Sequence, residues 1–297
     1  MLRPTKRPVT ARRTVRPTGR TVRSLAFVHA PLVLLCLLWL TPTAAVFVSS
    51  FRTAADSFAT GWWEGVRPPL RFTEQNYVEV LSHGGLGRAF MNSLLITLPS
   101  VSVTVSIGTV AGFALARMRF RGSGVTLAVL LGLTVVPLQV ILVPLLRIYN
   151  DLAVTGTRPG LWLVHAGVGI PFVTYLLHNV FRELPRELFE AAEIDGADHL
   201  RSFVHVALPT AAPAVASAVI FQFLWVWNDL LLALIFVGGN RETAPLTVMV
   251  SGLVNNITGQ GWHLLTAAAF VSIVCPLVVF FALQRYFVKG LLAGSVK

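Results

Sequence analysis

The sequence predicts an all-α membrane protein with six transmembrane helices and both termini on the cytoplasmic side. Three observations carry this reading. Charged residues make up 12% of the 297 residues, against about 25% in a soluble domain. Apolar runs long enough to cross a bilayer recur along the chain and raise its mean hydropathy to +0.71. Basic residues are shared unequally between alternate connecting segments, as the positive-inside bias requires.

Residues 1–24 read as a disordered, basic cytoplasmic tail, rich in Arg, Thr and Pro and without apolar periodicity. Arg3, Lys6, Arg7, Arg12, Arg13, Arg16, Arg20 and Arg23 lie there with no acid, so most of the net charge of +11 belongs to the tail. A basic excess placed just before a span is an orientation signal, and no nucleic-acid partner is expected. The Arg12-Arg13 pair resembles an export signal. The apolar run from Leu25 to Val48, however, exceeds the roughly 7–15 residues of a signal-peptide core, so it reads as an uncleaved first span.

Residues 25–297 form one transmembrane domain. After the first span comes a mixed polar segment, 49–88, in which Trp62 and Trp63 suit a membrane interface. The second span runs about Ala89 to Ala116 and carries Gly108 and Gly112, a spacing that permits close helix approach. A basic turn at Arg117, Arg119 and Arg121 leads to a third span, about Val125 to Leu146, with Pro137 and Pro144 inside it. The loop Arg147–Arg158 precedes a fourth span, about Gly160 to Val180. A fifth runs from Pro209 into the 230s, and a sixth covers about Leu264 to Leu283. With the N-terminus inside, the inner segments hold seventeen of the 24 Lys and Arg residues and the outer segments seven.

Between spans four and five lies a polar island, 182–209, holding six of the thirteen acids: Glu183, Glu187, Glu190, Glu193, Asp195 and Asp198. Pro185 sits where a helix can begin and Gly196 where one can end. Leu184, Leu188, Ala191 and Ala192 recur at helical spacing, while Glu183, Glu187 and Glu190 share another face. A second short helix, about Ala197 to Ala207, then runs into Leu208-Pro209. The predicted shape is helix–Gly–helix laid across the ends of two membrane helices, so that force applied to it moves both.

Asp229 is the one acid in the apolar stretch FLWVWNDLLLALIF. An ionisable residue in a span is a functional candidate, yet a helix starting near Pro213 carries Asp229 about 24 Å along its axis, towards the outer interface. That placement favours a structural role, helix pairing or an interfacial hydrogen bond, over solute contact. Gln222, Trp225, Trp227 and Asn228, with Asp229, are the candidates for lining a solute path, since aromatic faces and amides suit hydroxylated rings. The same residues at helical spacing also suit packing. The seven histidines form no HExxH or other metal spacing, and Cys36 and Cys275 lie inside apolar spans as small hydrophobes. No metal, cofactor or catalytic group is expected. The three lysines, Lys6, Lys289 and Lys297, are not followed by Ser or Thr, so no phosphate-binding P-loop can be written.

Glu190-Ala191-Ala192, Asp195-Gly196-Ala197, Phe203, Val206 and Leu208-Pro209 follow the spacing EAAxxDGAxxxxxFxxVxLP. This resembles the EAA loop of permease subunits in binding-protein-dependent ABC importers. Asn92-Ser93-Leu94, Gly112-Phe113-Ala114-Leu115-Ala116-Arg117, Phe120-Arg121-Gly122, Trp227-Asn228-Asp229 and the C-terminal Gln284-Arg285-Tyr286-Phe287-Val288-Lys289-Gly290 resemble the maltose-type sugar permeases within that group. Only the tail and the 49–75 loop lack matching features. The resemblance implies a type I importer permease (MetI-like) core in a bacterial plasma membrane. It also implies a separate ATP-binding subunit, a companion permease, and an extracytoplasmic binding protein that delivers a mono- or oligosaccharide. Carried over, Glu190, Ala191, Ala192, Asp195, Gly196, Ala197, Leu208 and Pro209 form the ATPase-coupling loop. An importer permease for a peptide, amino acid or phosphate is the alternative within the class. An ion-coupled secondary carrier is the alternative outside it; the missing internal repeat and the single off-centre acid weigh against that.

Overall fold

The structure is a computed structural model that describes residues 19–83, 85–237, 239–255 and 261–293, and within these residues there are helices and no strands. Two units are distinguished, Met1–Ala45 and Val46–Lys297. Helix α1 (Gly19–Ser50) begins in the first unit, so the tail expected to be disordered to residue 24 is helical from Gly19; residues 1–18 lie outside the described residues. In the second unit follow α2 (Ala54–Ala59), α3 (Gln75–Val78), α4 (Leu86–Arg117), α5 (Ser123–Val135), α6 (Leu138–Asp151) and α7 (Arg158–Glu183). Beyond them come α8 (Arg186–Ile194), α9 (His199–Ser202), α10 (Leu208–Thr210), α11 (Ala212–Trp227), α12 (Leu231–Phe236), α13 (Leu246–Asn255) and α14 (Trp262–Ala293). Among the described residues four helices are singly long and apolar enough to cross a membrane, in α1, α4, α7 and α14, and two bent helix pairs bring the number to six.

Two expected spans are broken rather than continuous. The third divides into α5 and α6, bent by 101°. Pro137 is the reason: it donates no N–H and drives Val136 to extended backbone, φ −65°, ψ 123°. Pro144 sits inside α6 without interrupting it. The fifth is bent by 77° between the segment His199–Thr210 and α11, and it stops at Trp227 instead of running into the 230s. Asn228 turns its amide back to Leu224 O at 2.8 Å, and Asp229 starts a new helix. Its carboxylate accepts from the backbone N–H of Leu232 at 3.3 Å and of Ala233 at 3.0 Å, which are otherwise orphan donors of the first turn of α12.

The second unit is built on α4 and α7. A Cβ at Gly112 would lie 3.0 Å from His178 N and from Thr174 O, and one at Gly108 would lie 2.6 Å from the Val173 side chain. The GxxxG pair therefore joins two helices of the same chain backbone to backbone. One apolar core lies towards the start of α4, around Leu86, Leu161, Trp227, Leu232, Phe236 and Leu246. A second lies towards its end, around Phe113, Val173, Leu177, Phe181, Ala207 and Ala211.

The two ends of α4 are tied differently. Near its start, Asn92 accepts from Arg158 at 2.9 Å and donates to the carbonyls of Glu242 (2.7 Å) and Ala244 (3.1 Å). Ser93 Oγ accepts from Leu246 N at 2.8 Å. The Asn92-Ser93 pair thus clamps the loop entering α13. On the same side, residues 51–76 form a folded cap around Arg52, which is 3% exposed. Its guanidinium donates to the carbonyls of Asp56, Thr60 and Gly61 and to the Thr60 hydroxyl, while Asn76 donates to Ser50 O and Arg52 O, each at 2.8 Å. A buried charge needs such a full set of partners.

Candidate functional site

The polar island at the other end of α4 is a helix–turn–helix. α7 ends at Glu183 because Leu184, preceding Pro185, is extended (φ −62°, ψ 141°). Pro185 is the N-cap of α8, as its fixed φ suits. α8 stops at Gly196, whose φ of +81° puts it in the left-handed region. There Ala197 N donates to Ala192 O at 2.9 Å and Gly196 N donates to Glu193 O at 3.0 Å. These two bonds are the Schellman closure, which satisfies carbonyls of the last turn and needs a residue that accepts positive φ. Asp198 then caps α9, its Oδ1 accepting from Arg201 N at 2.8 Å. Asp198 is therefore more than one of the island's six charges, and a cap-forming residue directly after Gly-Ala is the sequence signal for this helix start.

Around this turn Glu190, Ala191, Asp195, Gly196 and Pro209 are exposed, while Ala192, Ala197 and Leu208 are half-buried. Two large apolar side chains stand among the acids: Ile194 is 86% exposed and Leu200 68%. Exposed apolar groups rimmed by polar ones mark a surface made to be covered. The underside is fixed. Phe189 of α8 and Phe203 pack on Phe113 of α4, with ring centroids at 6.3 Å and 5.0 Å, and Phe113 meets Phe181 of α7 edge-on at 5.7 Å. The guanidinium of Arg117 lies 4.2 Å from the Phe189 ring centroid and donates to Phe181 O and Leu184 O.

The solute-path candidates are divided between two surroundings. Trp227 is buried, stacked on Phe223 at 5.6 Å, and donates to Ser272 O at 3.1 Å. Gln222 is buried against Thr104 and Gly169, where a Cβ would collide with its amide. Asp229 caps α12 and lies 3.9 Å from His165 Nε2. Of the five candidates only Trp225, on α11, and Asn228, directly after it, are exposed. Trp225 meets the ring of the buried His165 at right angles, 5.8 Å between centroids. Sequence spacing gave no sign of His165, because its partners lie 60 or more residues away on another helix.

The family model described as "binding-protein-dependent transport system inner membrane component" matches residues 105–292. An osmoprotective compounds uptake permease protein of Synechocystis sp. is 46% identical over 288 residues, covering 94% of this chain and 96% of that one. An alpha-glucoside transport system permease protein of Rhizobium meliloti is 50% identical over 234 residues, 77% of this chain and 61% of that protein's length. Among solved structures, a bacterial ABC transporter involved in the import of the acidic polysaccharide alginate aligns over 92% of this chain and 100% of its own, with a TM-score of 0.76 and 21% identity. That likeness is one of fold.

Proposed function

The chain belongs to the binding-protein-dependent transport system inner membrane component family, and from that premise we propose that it is one membrane-spanning subunit of an ATP-driven sugar importer. It is a multi-pass membrane protein. Its host membrane is a bacterial plasma membrane, with both termini and the 182–209 loop in the cytoplasm, as the distribution of Lys and Arg directs. A reporter fused near Asn76 is expected outside; a cytoplasmic signal there overturns the topology.

One observation carries the mechanism: the 182–209 loop is exposed on top and anchored underneath to α4 and α7. In this reading the ATP-binding subunit covers Glu190, Ala191, Asp195, Gly196, Ile194 and Leu200. ATP hydrolysis takes place on that separate subunit, since no P-loop can be written in this sequence. A second permease completes the path, and an extracytoplasmic binding protein delivers solute on the side of the Arg52 cap and the Asn92 clamp.

The sugar assignment draws support from the relative whose name states alpha-glucoside transport. A second reading, an osmoprotective solute, is favoured by the relative matched over nearly the whole chain. A panel of mono- and oligosaccharides and osmoprotectants, tested for binding-protein-dependent stimulation of ATP hydrolysis in the assembled complex, separates the two. Stimulation by α-linked sugars is expected, and stimulation by a non-sugar osmoprotectant alone refutes the sugar assignment.

A further inference from the structure

Beneath the proposed docking surface lies a junction built around one cation. Arg117 is the last residue of α4. Its Nε donates to Phe181 O at 2.9 Å and a terminal nitrogen donates to Leu184 O. Both acceptors belong to the C-terminal end of α7, where the last carbonyls have no partner within the helix. A cation there also meets the negative end of the helix dipole. The same guanidinium lies 4.2 Å from the centroid of Phe189 on α8, within cation–π reach. One residue thus terminates α4, satisfies the end of α7 and stacks on α8.

The surroundings make this a mechanical connection. Gly112, just over one turn before Arg117, brings the backbones of α4 and α7 into contact, so these helices shift as a pair. Phe113 touches Phe181, Phe189 and Phe203 through apolar ring contacts that carry no hydrogen bond. The planar, five-donor fork of Arg is directional. Its donors are held by the end of α7 while its face lies on the Phe189 ring, so α8 and the end of α7 share one rigid planar group.

We propose that Arg117 is the positioning residue that carries a displacement of α8 into the α4–α7 pair, linking events at the docking surface to movement of the membrane path. The inference rests on α8 being the docking element. Without Arg117, α8 still folds and still presents Glu190 and Ile194, but its motion is taken up by slippage over Phe113.

The test uses the full complex with its ATPase, companion permease and binding protein. Arg117→Ala is expected to retain the ATPase subunit and basal ATP hydrolysis, while solute transported per ATP falls at least about tenfold. Arg117→Lys, which keeps the cation without the fork, recovers part of that ratio. An unchanged ratio in Arg117→Ala overturns the proposal and leaves docking intact. Loss of the ATPase from an inserted Arg117→Ala complex also overturns it, because Arg117 would then only shape the docking surface. Glu190→Arg is the separate arm: retention of the ATPase in that variant removes the premise itself. If Arg117→Ala does not insert, Phe189→Leu decides, since it removes the ring and leaves both carbonyl bonds. A fall in the ratio supports the strut, and a wild-type ratio refutes it.

Discussion

Gly196→Ala isolates the contribution of the turn between α8 and α9. At φ +81° a Cβ approaches the following carbonyl, a clash worth about 1–2 kcal/mol. Nothing else lies within 4 Å of where that Cβ would stand, so the cost is one of backbone alone. It falls on the closed turn, in which Ala197 N donates to Ala192 O. A penalty of about 1–2 kcal/mol changes the ratio of closed to open turn by a factor of about 5–30. Amide hydrogen exchange on the purified complex reads this directly, since local opening governs exchange. The Ala197 amide should exchange about 5–30 times faster in Gly196→Ala, with Gly196→Asn in between because Asn tolerates left-handed backbone. Wild-type exchange in Gly196→Ala, or faster exchange in the Asn variant than in the Ala variant, would refute the assignment of this turn.

Gly112→Val should lower the Tm of the protein in detergent through about 1–3 kcal/mol of overpacking, since the added carbons meet backbone at His178 and Thr174; an unchanged Tm means that α4 and α7 are not in contact there. Asp229→Ala removes the cap of α12 and should cost about 1 kcal/mol, most of it restored by Asn. If Asn is as damaging as Ala, the carboxylate does something other than cap. Trp227→Ala should lower stability by about 3–5 kcal/mol without changing the KM of transport by folded complex, whereas Trp225→Ala should raise that KM and leave Tm nearly unchanged. The reverse pattern would exchange the roles given to the two indoles.

Much of this architecture was legible in the chain because its signals are local. Apolar runs mark spans, Pro185 and Gly196 bound α8, and the Gly108–Gly112 spacing marks a close approach. The breaks were harder to see. Pro99, Pro144 and Pro171 all sit inside helices, whereas Pro137 divides a span and Pro209 and Pro213 flank the bend before α11, so a proline in an apolar run does not by itself tell a tolerated ring from a break. Asp229 in apolar surroundings reads equally as a membrane acid or a helix cap, and only the turn at Asn228 decides between them. The division of Gln222 and Trp227 from Trp225 and Asn228 was hidden for another reason. In a bilayer the outward face of a helix is as apolar as the inward one, so periodicity marks a helix without marking its inside. The contacts of Arg117 with residues 64 or more positions away in sequence carry no local signal at all.

Docking of the 182–209 loop on an ATP-binding subunit is the central claim, and proximity tests it most directly. A photo-crosslinking amino acid is placed at Glu190 in one complex and at Glu64, on the opposite side of the membrane in the proposed topology, in another. Position 190 should yield an adduct with the ATPase subunit and position 64 none. An adduct from position 64, or its absence from position 190 in an assembled, transport-competent complex, would contradict the docking surface drawn from this structure.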